Sequence, residues 1–255
     1  MDSQPQRAPA PPSPEAGAFF LDVDGTLLGI AATPDAVTVE PAVGELLSRL
    51  AGASGGALAL ISGRAIAVLD RLFAPLRLPA AGQHGAERRD ADGRVHTHAI
   101  HARGLGEVRA AAAAFAAGNP GVALEDKGLS LAVHFRQAPA AEPALRALLE
   151  DAVAKCAGQV ALQPGKMVLE VKPAGRDKGS AIAEFMREPP FRGRVPVFIG
   201  DDVTDEFGFA VVNRLGGLTV KVGEGASRAR LRLADVAAVR RWLEDCLHRR
   251  EARTA

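Results

Sequence analysis

Four short, largely apolar runs in the chain each stop abruptly at acidic, hydroxyl-bearing or glycine residues. Ala18-Phe19-Phe20-Leu21 ends in Asp22-Val23-Asp24-Gly25-Thr26, and residues 57–61 end in Ser62-Gly63-Arg64. Residues 195–199 end in Gly200-Asp201-Asp202, and residues 218–222 in Gly223-Glu224-Gly225. Apolar runs this short predict strands buried on both faces. Between them, patterns such as Val43-Leu46-Leu47-Leu50 and Phe207-Ala210-Val211 predict amphipathic helices. Strands alternating with such helices predict an α/β fold, a Rossmann-like parallel sheet with helices on both sides. Ligands of such sheets bind beyond the carboxyl ends of the strands, where the acids, the serine and the glycines fall.

The middle of the chain carries a different pattern. A helical run from Gly104 through Val108 and Phe115 leads to Val122-Ala123-Leu124, a turn at Asp126-Lys127-Gly128 and an alternating segment from Leu129 to Phe135, which together predict a hairpin. A second helix through Leu145, Leu148, Leu149 and Val153 precedes strands at residues 160–162 and 167–171, with a turn predicted at Pro164-Gly165. One helix and two strands, repeated once, predict a small α+β unit with an antiparallel sheet. Residues 104–174 are therefore expected to be an inserted cap domain, and residues 16–103 with 175–249 the catalytic core. Residues 1–15, rich in proline and alanine with no apolar segment to pack, are expected to be a disordered tail.

Composition narrows the function by exclusion. A formal net charge of +1, with arginines scattered among acids, lacks the positive stripe that draws nucleic acid, so no nucleic-acid partner is expected. No apolar run is long enough to cross a bilayer, so no membrane is expected either. The two cysteines, Cys156 and Cys246, have no ligand partners close in sequence and suit reduced thiols of a cytoplasmic protein. His96, His98 and His101 lack a further ligand to complete a zinc site, and an exposed strand is expected there. A small anionic molecule, which needs only a local positive pocket, is the partner left, acting on a chain expected to be a monomer.

Asp22 and Asp24 stand two apart just past a strand, with Gly25 permitting a tight turn. An Asp-Gly hairpin would explain them only if another strand followed, and Thr33-Pro34 follows instead. Asp201, Asp202, Asp205 and Glu206 could cap a helix, which accounts for one acid and not for four. Brought to one sheet edge, carboxylates repel by about 4 kcal/mol per close pair at an effective dielectric of about 20, so a cation must accompany them. Carboxylate and water oxygens are the ligand set of Mg2+, whereas zinc favours histidine or cysteine. Asp22, Asp24, Asp201, Asp202 and Asp205 are the candidate metal ligands. A carboxylate beside such an ion can attack phosphorus in line, forming an acyl phosphate that water then hydrolyses; Asp22 suits that role. Asp24 can protonate the leaving oxygen and then activate the water. Thr26, Ser62 and Lys178 can donate to the phosphoryl oxygens, Lys178 from the start of the helical run Ala181-Ile182-Phe185.

Asp22-Val23-Asp24-Gly25-Thr26, Ser62, Lys178 and Gly200-Asp201-Asp202, in that order, resemble the phosphatases of the haloacid dehalogenase superfamily. The chain is more closely similar to one family within it, the trehalose-6-phosphate phosphatases, over nearly all its length beyond the tail. Residues 20–27, 60–64, 81–89 and 200–206 carry that resemblance. It implies a haloacid dehalogenase-like core with a cap. It further implies Mg2+-dependent hydrolysis of trehalose 6-phosphate to trehalose and phosphate through an aspartyl-phosphate, the final step of trehalose biosynthesis. Substrate contacts are implied for Thr26, Arg64 and His84 of the core and for Glu125, Lys127, Ser130, Arg136 and Glu170 of the cap, with Glu125, Lys127 and Glu170 on the distal glucose. A sugar pocket wants such a mixture, because a buried donor left unpaired costs about 1 to 3 kcal/mol.

Without the resemblance, Glu125 and Lys127 read as a solvated hairpin turn, His84 as a histidine satisfied by backbone, and Gly223-Glu224-Gly225 as a turn. Gln83 stands where the family's pattern has an apolar residue. The rival functions are a phosphatase for another sugar phosphate, such as sucrose phosphate, and a non-catalytic sugar-phosphate-binding module. Asp22, Asp24, Lys178 and Asp201 together argue against the second, since binding alone has no use for a leaving-group acid.

Overall fold

The structure, a computed structural model, describes residues 11–30, 37–98, 102–165 and 167–254. The chain begins with β1 (Gly17–Leu21), α1 (Pro41–Ala53), β2 (Leu58–Ile61), α2 (Ile66–Leu72), β3 (Ala80–Gly82), β4 (Glu87–Arg89) and β5 (Val95–Thr97). There follow α3 (Ala102–Gly118), β6 (Ala123–Asp126), β7 (Leu131–His134), α4 (Glu142–Ala154), β8 (Val160–Gly165) and β9 (Val168–Pro173). It continues with α5 (Lys178–Phe185), β10 (Val195–Gly200), α6 (Asp205–Arg214), β11 (Leu218–Val222), β12 (Leu231–Leu233) and α7 (Val236–Thr254).

Every residue of β1 is buried, because the strand has a packed layer on each side. Phe19 and Leu21 join a cluster with Leu47 and Leu50 of α1 and Trp242 and Leu243 of α7. Ala18 and Phe20 join another with Phe185, Phe191 and Phe209. Successive side chains of a strand point to opposite faces, so covering both faces leaves no position where a polar residue would be tolerated. The sheet order is β12-β11-β10-β1-β2-β3-β4-β5, parallel from β12 to β3 and antiparallel from β3 to β5. The chain builds outward from β1 to β5 and later returns to β10 on the other side of β1, so the order reverses there. Such a reversal opens a crevice at the carboxyl ends of the strands.

A second sheet, β6-β7-β9-β8, is antiparallel throughout. Leu131, Val133, Leu169 and Val171 on one face pack with Val108 and Ala112 of α3 and Leu145 and Leu149 of α4. Ala132 registers with both Glu125 and Glu170, so these three share the opposite face. This helix-backed sheet is the α+β cap.

The structure departs from expectation in three places. Pro164 and Gly165 belong to β8, opposite Leu169 and Val168, instead of forming the turn. β8 is an edge strand, and an edge accepts a proline because no neighbour needs its missing N–H. Residues 1–10 of the expected tail lie outside the described residues, but Pro11 and Pro14 are buried, and the Cys246 thiol donates to the Pro12 carbonyl at 3.2 Å. Proline rings are apolar and already restricted, so they pack at little further entropic cost. β4 has no apolar signal, because its arginines bury their stems and find partners: Arg89 binds Asp70 at 2.7 and 2.8 Å, and Arg88 binds Glu184 at 3.2 Å. His96 lies in β5, exposed as expected, while His101 is outside the described residues.

Candidate active site

Asp22 follows β1 without a break, and its N–H donates to the Ile199 carbonyl at 3.0 Å. This continues the ladder between β1 and β10 by one rung and sets Asp22 level with the loop that begins at Asp201. Asp22, Asp201 and Asp205 each present a carboxylate oxygen within 4.8 Å of the others. Asp205 opens α6, and its Oδ2 accepts the N–H of Asp202 at 2.9 Å. Two glycines make room for this approach. A Cβ on Gly25, whose φ is +81°, would lie 2.1 Å from Asp201 Oδ2, and one on Gly200 would lie 2.3 Å from Asp205 Cγ.

Lys178 enters from the first turn of α5. Asp177 caps that helix by accepting the Ser180 N–H at 2.7 Å, while Ser180 Oγ accepts the Asp177 N–H at 3.0 Å, a reciprocal capping box. Gly179 lets α5 approach α6, since a Cβ there would meet the Phe207 carbonyl at 2.4 Å. Lys178 Nζ thereby donates to Asp22 Oδ1 and Asp205 Oδ1, both at 2.7 Å. The Thr26 hydroxyl lies 3.3 Å from both Asp22 Oδ2 and Asp201 Oδ1.

One buried ammonium faces three carboxylates, and the titration behaviour follows from that imbalance. Burial pushes the Asp22 carboxyl well above the usual range; Lys178 pulls it down, but Asp205 and Asp201 push it up again. Asp201 is raised by burial and by Asp205. Burial works against the charge on Lys178, yet Asp205 and Asp22 outweigh it and hold the lysine above its ordinary value. The group carries an excess of negative charge that Lys178 does not cancel.

Asp24 and Asp202 do not bring their carboxylates to this cluster. Asp24 turns instead to Arg64, whose Nε and Nη2 donate to its two oxygens at 2.7 and 2.8 Å, the fork geometry that guanidinium and carboxylate share. Asp202 contributes its backbone N–H, not its side chain, to Asp205. Ser62, buried beyond β2, accepts the Arg64 N–H on Oγ at 3.1 Å, so Asp24, Ser62 and Arg64 form one edge of the crevice.

The polar face of the cap sheet lies over these strand ends. Lys127 Nζ donates to Glu170 Oε1 at 2.8 Å and to the Gly63 carbonyl of the core at 3.3 Å. Glu170 Oε2 lies 2.6 Å from His84 Nε2. His84 and its neighbours Gln83 and Gly85 hold φ values of +55°, +47° and +92°, and the histidine packs onto Gly63, where a Cβ would sit 2.6 Å from Nε2. Burial lowers the His84 pKa although Glu170 opposes it, while Glu170 is held far below the usual carboxylate range because His84 and Lys127 together overcome its own burial. Glu125 pairs with His134 at 3.0 Å on the same face of the cap, half exposed. Ser130 is brought to the crevice, but its hydroxyl donates to Gln83 Oε1 at 2.8 Å. Arg136 is not brought there: it is exposed past His134, at the end of β7 opposite Ser130.

Two buried groups at the site are absent from the sequence-derived set. Lys221 Nζ donates to the Asp201 carbonyl and, at 3.1 Å, to that of Val222, which fastens the loop carrying Asp201. Its signal is a lysine inside an otherwise apolar strand. Gln83, 3% exposed, is the second, and a buried amide just past a strand requires partners that the sequence does not name.

A family model described as Trehalose-phosphatase matches residues 20–237. The chain is 51% identical over 227 residues to "Trehalose-6-phosphate phosphatase" of Escherichia coli (strain K12), covering 89% of this chain and 85% of that protein. It is 50% identical over 209 residues to "Probable trehalose-phosphate phosphatase" of Sinorhizobium fredii, covering 81% and 77% respectively. Among solved structures, a "trehalose-6-phosphate phosphatase related protein" superposes with a TM-score of 0.78 at 28% identity, over 92% of this chain and 99% of that one.

Proposed function

Because the chain belongs to the trehalose-phosphatase family, we propose that it hydrolyses trehalose 6-phosphate to trehalose and inorganic phosphate, with Mg2+ as cofactor and Asp22 as nucleophile. The observation that carries this reading is the convergence of Asp22, Asp201 and Asp205 on Lys178 beneath the polar face of the cap.

The three carboxylates fit the metal: they offer oxygen ligands alone and an uncancelled negative charge, which suits a hard dication. Asp22, Asp201 and Asp205 would hold Mg2+, which when bound neutralises phosphoryl charge and orients the group for displacement. Lys178 keeps hold of Asp22 Oδ1 and leaves Oδ2 for attack on phosphorus, giving an aspartyl phosphate. Thr26, Ser62 and Lys178 donate to the phosphoryl oxygens. Arg64 turns from Asp24 to the phosphate, freeing Asp24 to take up a proton from solvent, pass it to the departing sugar oxygen and afterwards accept one from the hydrolytic water. Lys127, Glu170 and Glu125 exchange their present partners for sugar hydroxyls, with His84 on the core side of the pocket. All these groups belong to one chain, so the proposed site needs no residue from a second copy. Its cysteines, both buried, fit a cytoplasmic setting, and no helix of the described residues is long and apolar enough to cross a membrane.

The test is phosphate release over a panel containing trehalose 6-phosphate, sucrose 6-phosphate, glucose 6-phosphate and p-nitrophenyl phosphate, with Mg2+ or with a chelator. Trehalose 6-phosphate is expected to show the highest kcat/KM and to need the metal. A higher kcat/KM for another sugar phosphate would overturn the substrate assignment, and undiminished turnover in chelator would overturn the metal.

A further inference from the structure

Two of the polar contacts that join cap to core, Lys127 with the Gly63 carbonyl and Glu170 with His84, involve groups that the proposed substrate would claim for itself. A third does not. Ser130 Oγ donates to Gln83 Oε1 at 2.8 Å, and both residues are 3% exposed. On the core side Gln83 is held firmly: its N–H donates to the Arg64 carbonyl at 2.9 Å and its Nε2 to Glu87 Oε1 at 3.3 Å. Glu87 Oε1 in turn accepts the Ile66 N–H at 2.7 Å. On the cap side Ser130 closes the turn, its carbonyl accepting the Lys127 N–H at 3.0 Å. A line of hydrogen bonds thus runs from the first turn of α2, through Glu87 and Gln83, to the cap turn that carries Lys127.

We infer that Gln83 is a positioning residue: through Ser130 it holds the Lys127–Ser130 turn at a fixed height over Asp22, and so sets the affinity for the sugar half of the substrate. The inference rests on the proposed sugar phosphatase activity. An amide and a hydroxyl buried together are costly to separate, because each would be left unpaired. A sugar that draws Lys127 and Glu170 to its own hydroxyls leaves this neutral pair intact. The charged contacts are exchanged on binding, and the Gln83–Ser130 contact keeps the register while they are.

The experiment is a double-mutant cycle on Gln83→Leu and Ser130→Ala, with steady-state kinetics on trehalose 6-phosphate and p-nitrophenyl phosphate. Gln83→Leu is expected to raise KM for trehalose 6-phosphate about five- to tenfold, with kcat on both substrates within about twofold of wild type. Ser130→Ala should raise that KM similarly, and the double variant should lose little beyond either single one. Additive losses, a loss falling equally on both substrates, or an unchanged KM in Gln83→Leu would overturn the inference. Should Gln83→Leu fold poorly, Gln83→Asn decides, because the shorter amide stays polar but cannot reach Ser130 and must still raise KM selectively. A wild-type enzyme inactive on trehalose 6-phosphate would count against the substrate reading instead, and the cycle would then be read on the best sugar phosphate of the panel.

Discussion

Replacing Asp22 with asparagine should stop turnover and, with no metal present, make the protein more stable. Oxygens of Asp22, Asp201 and Asp205 lie within 4.8 Å of one another. At an effective dielectric of about 20, two repulsions at 4.8 Å cost Asp22 about 3.5 kcal/mol each and Lys178 at 2.7 Å returns about 6 kcal/mol, so neutralising it relieves about 1 kcal/mol. For a chain of this size that corresponds to a rise in Tm of about 2 to 4 °C. The amide keeps the shape and can still accept from Lys178, so packing should not obscure the effect. The assay is thermal unfolding of both proteins in EDTA and in Mg2+, beside phosphate release. In EDTA the variant should melt higher; in Mg2+ the wild type should gain more, because it offers one more ligand charge. The gap in EDTA should also shrink on acidification. A carboxyl whose folded pKa is raised, as burial raises that of Asp22, contributes stability below its unfolded pKa that is lost as pH rises through the folded value. Protonated Asp22 therefore approaches asparagine. A variant melting at or below the wild type in EDTA would mean that Lys178 already balances the cluster, and the electrostatic case for a dication would fail.

Gly25→Ala should abolish Mg2+-dependent stabilisation and activity together, since its Cβ at φ +81° would fall 2.1 Å from Asp201 Oδ2; calorimetric titration with Mg2+ and phosphate release would check this, and near-normal metal binding would contradict it. Lys127→Ala should raise KM for trehalose 6-phosphate about 10- to 100-fold, the loss of a hydrogen bond to a charged group, while KM for p-nitrophenyl phosphate moves little; parallel shifts on both would place Lys127 outside sugar recognition.

The core sheet was legible because burial on both faces leaves a run with no polar alternation, as in Phe19-Phe20-Leu21, and because the acids interrupt that run where it ends. The carboxylate cluster was legible for the same reason: nothing apolar competes to explain Asp22 or Asp201. Arg88 and Arg89 were opaque, since a buried arginine looks like a surface one until Glu184 and Asp70 are seen beside it. Asp24 and Asp202 show a further limit. Spacing brings a carboxylate to the neighbourhood, but which way it turns depends on Arg64 or on a backbone N–H elsewhere in the chain. Ser130 and Gln83, 47 residues apart, carry no local pattern that would pair them.

The cap encloses an apolar cluster that shares no residue with either layer of the core. Substitutions that reshape its polar face can therefore accumulate without loosening the strand that bears Asp22. Under the proposed function, most of the groups that meet the sugar can vary without disturbing those that meet phosphorus, and His84, which the core supplies, is the exception.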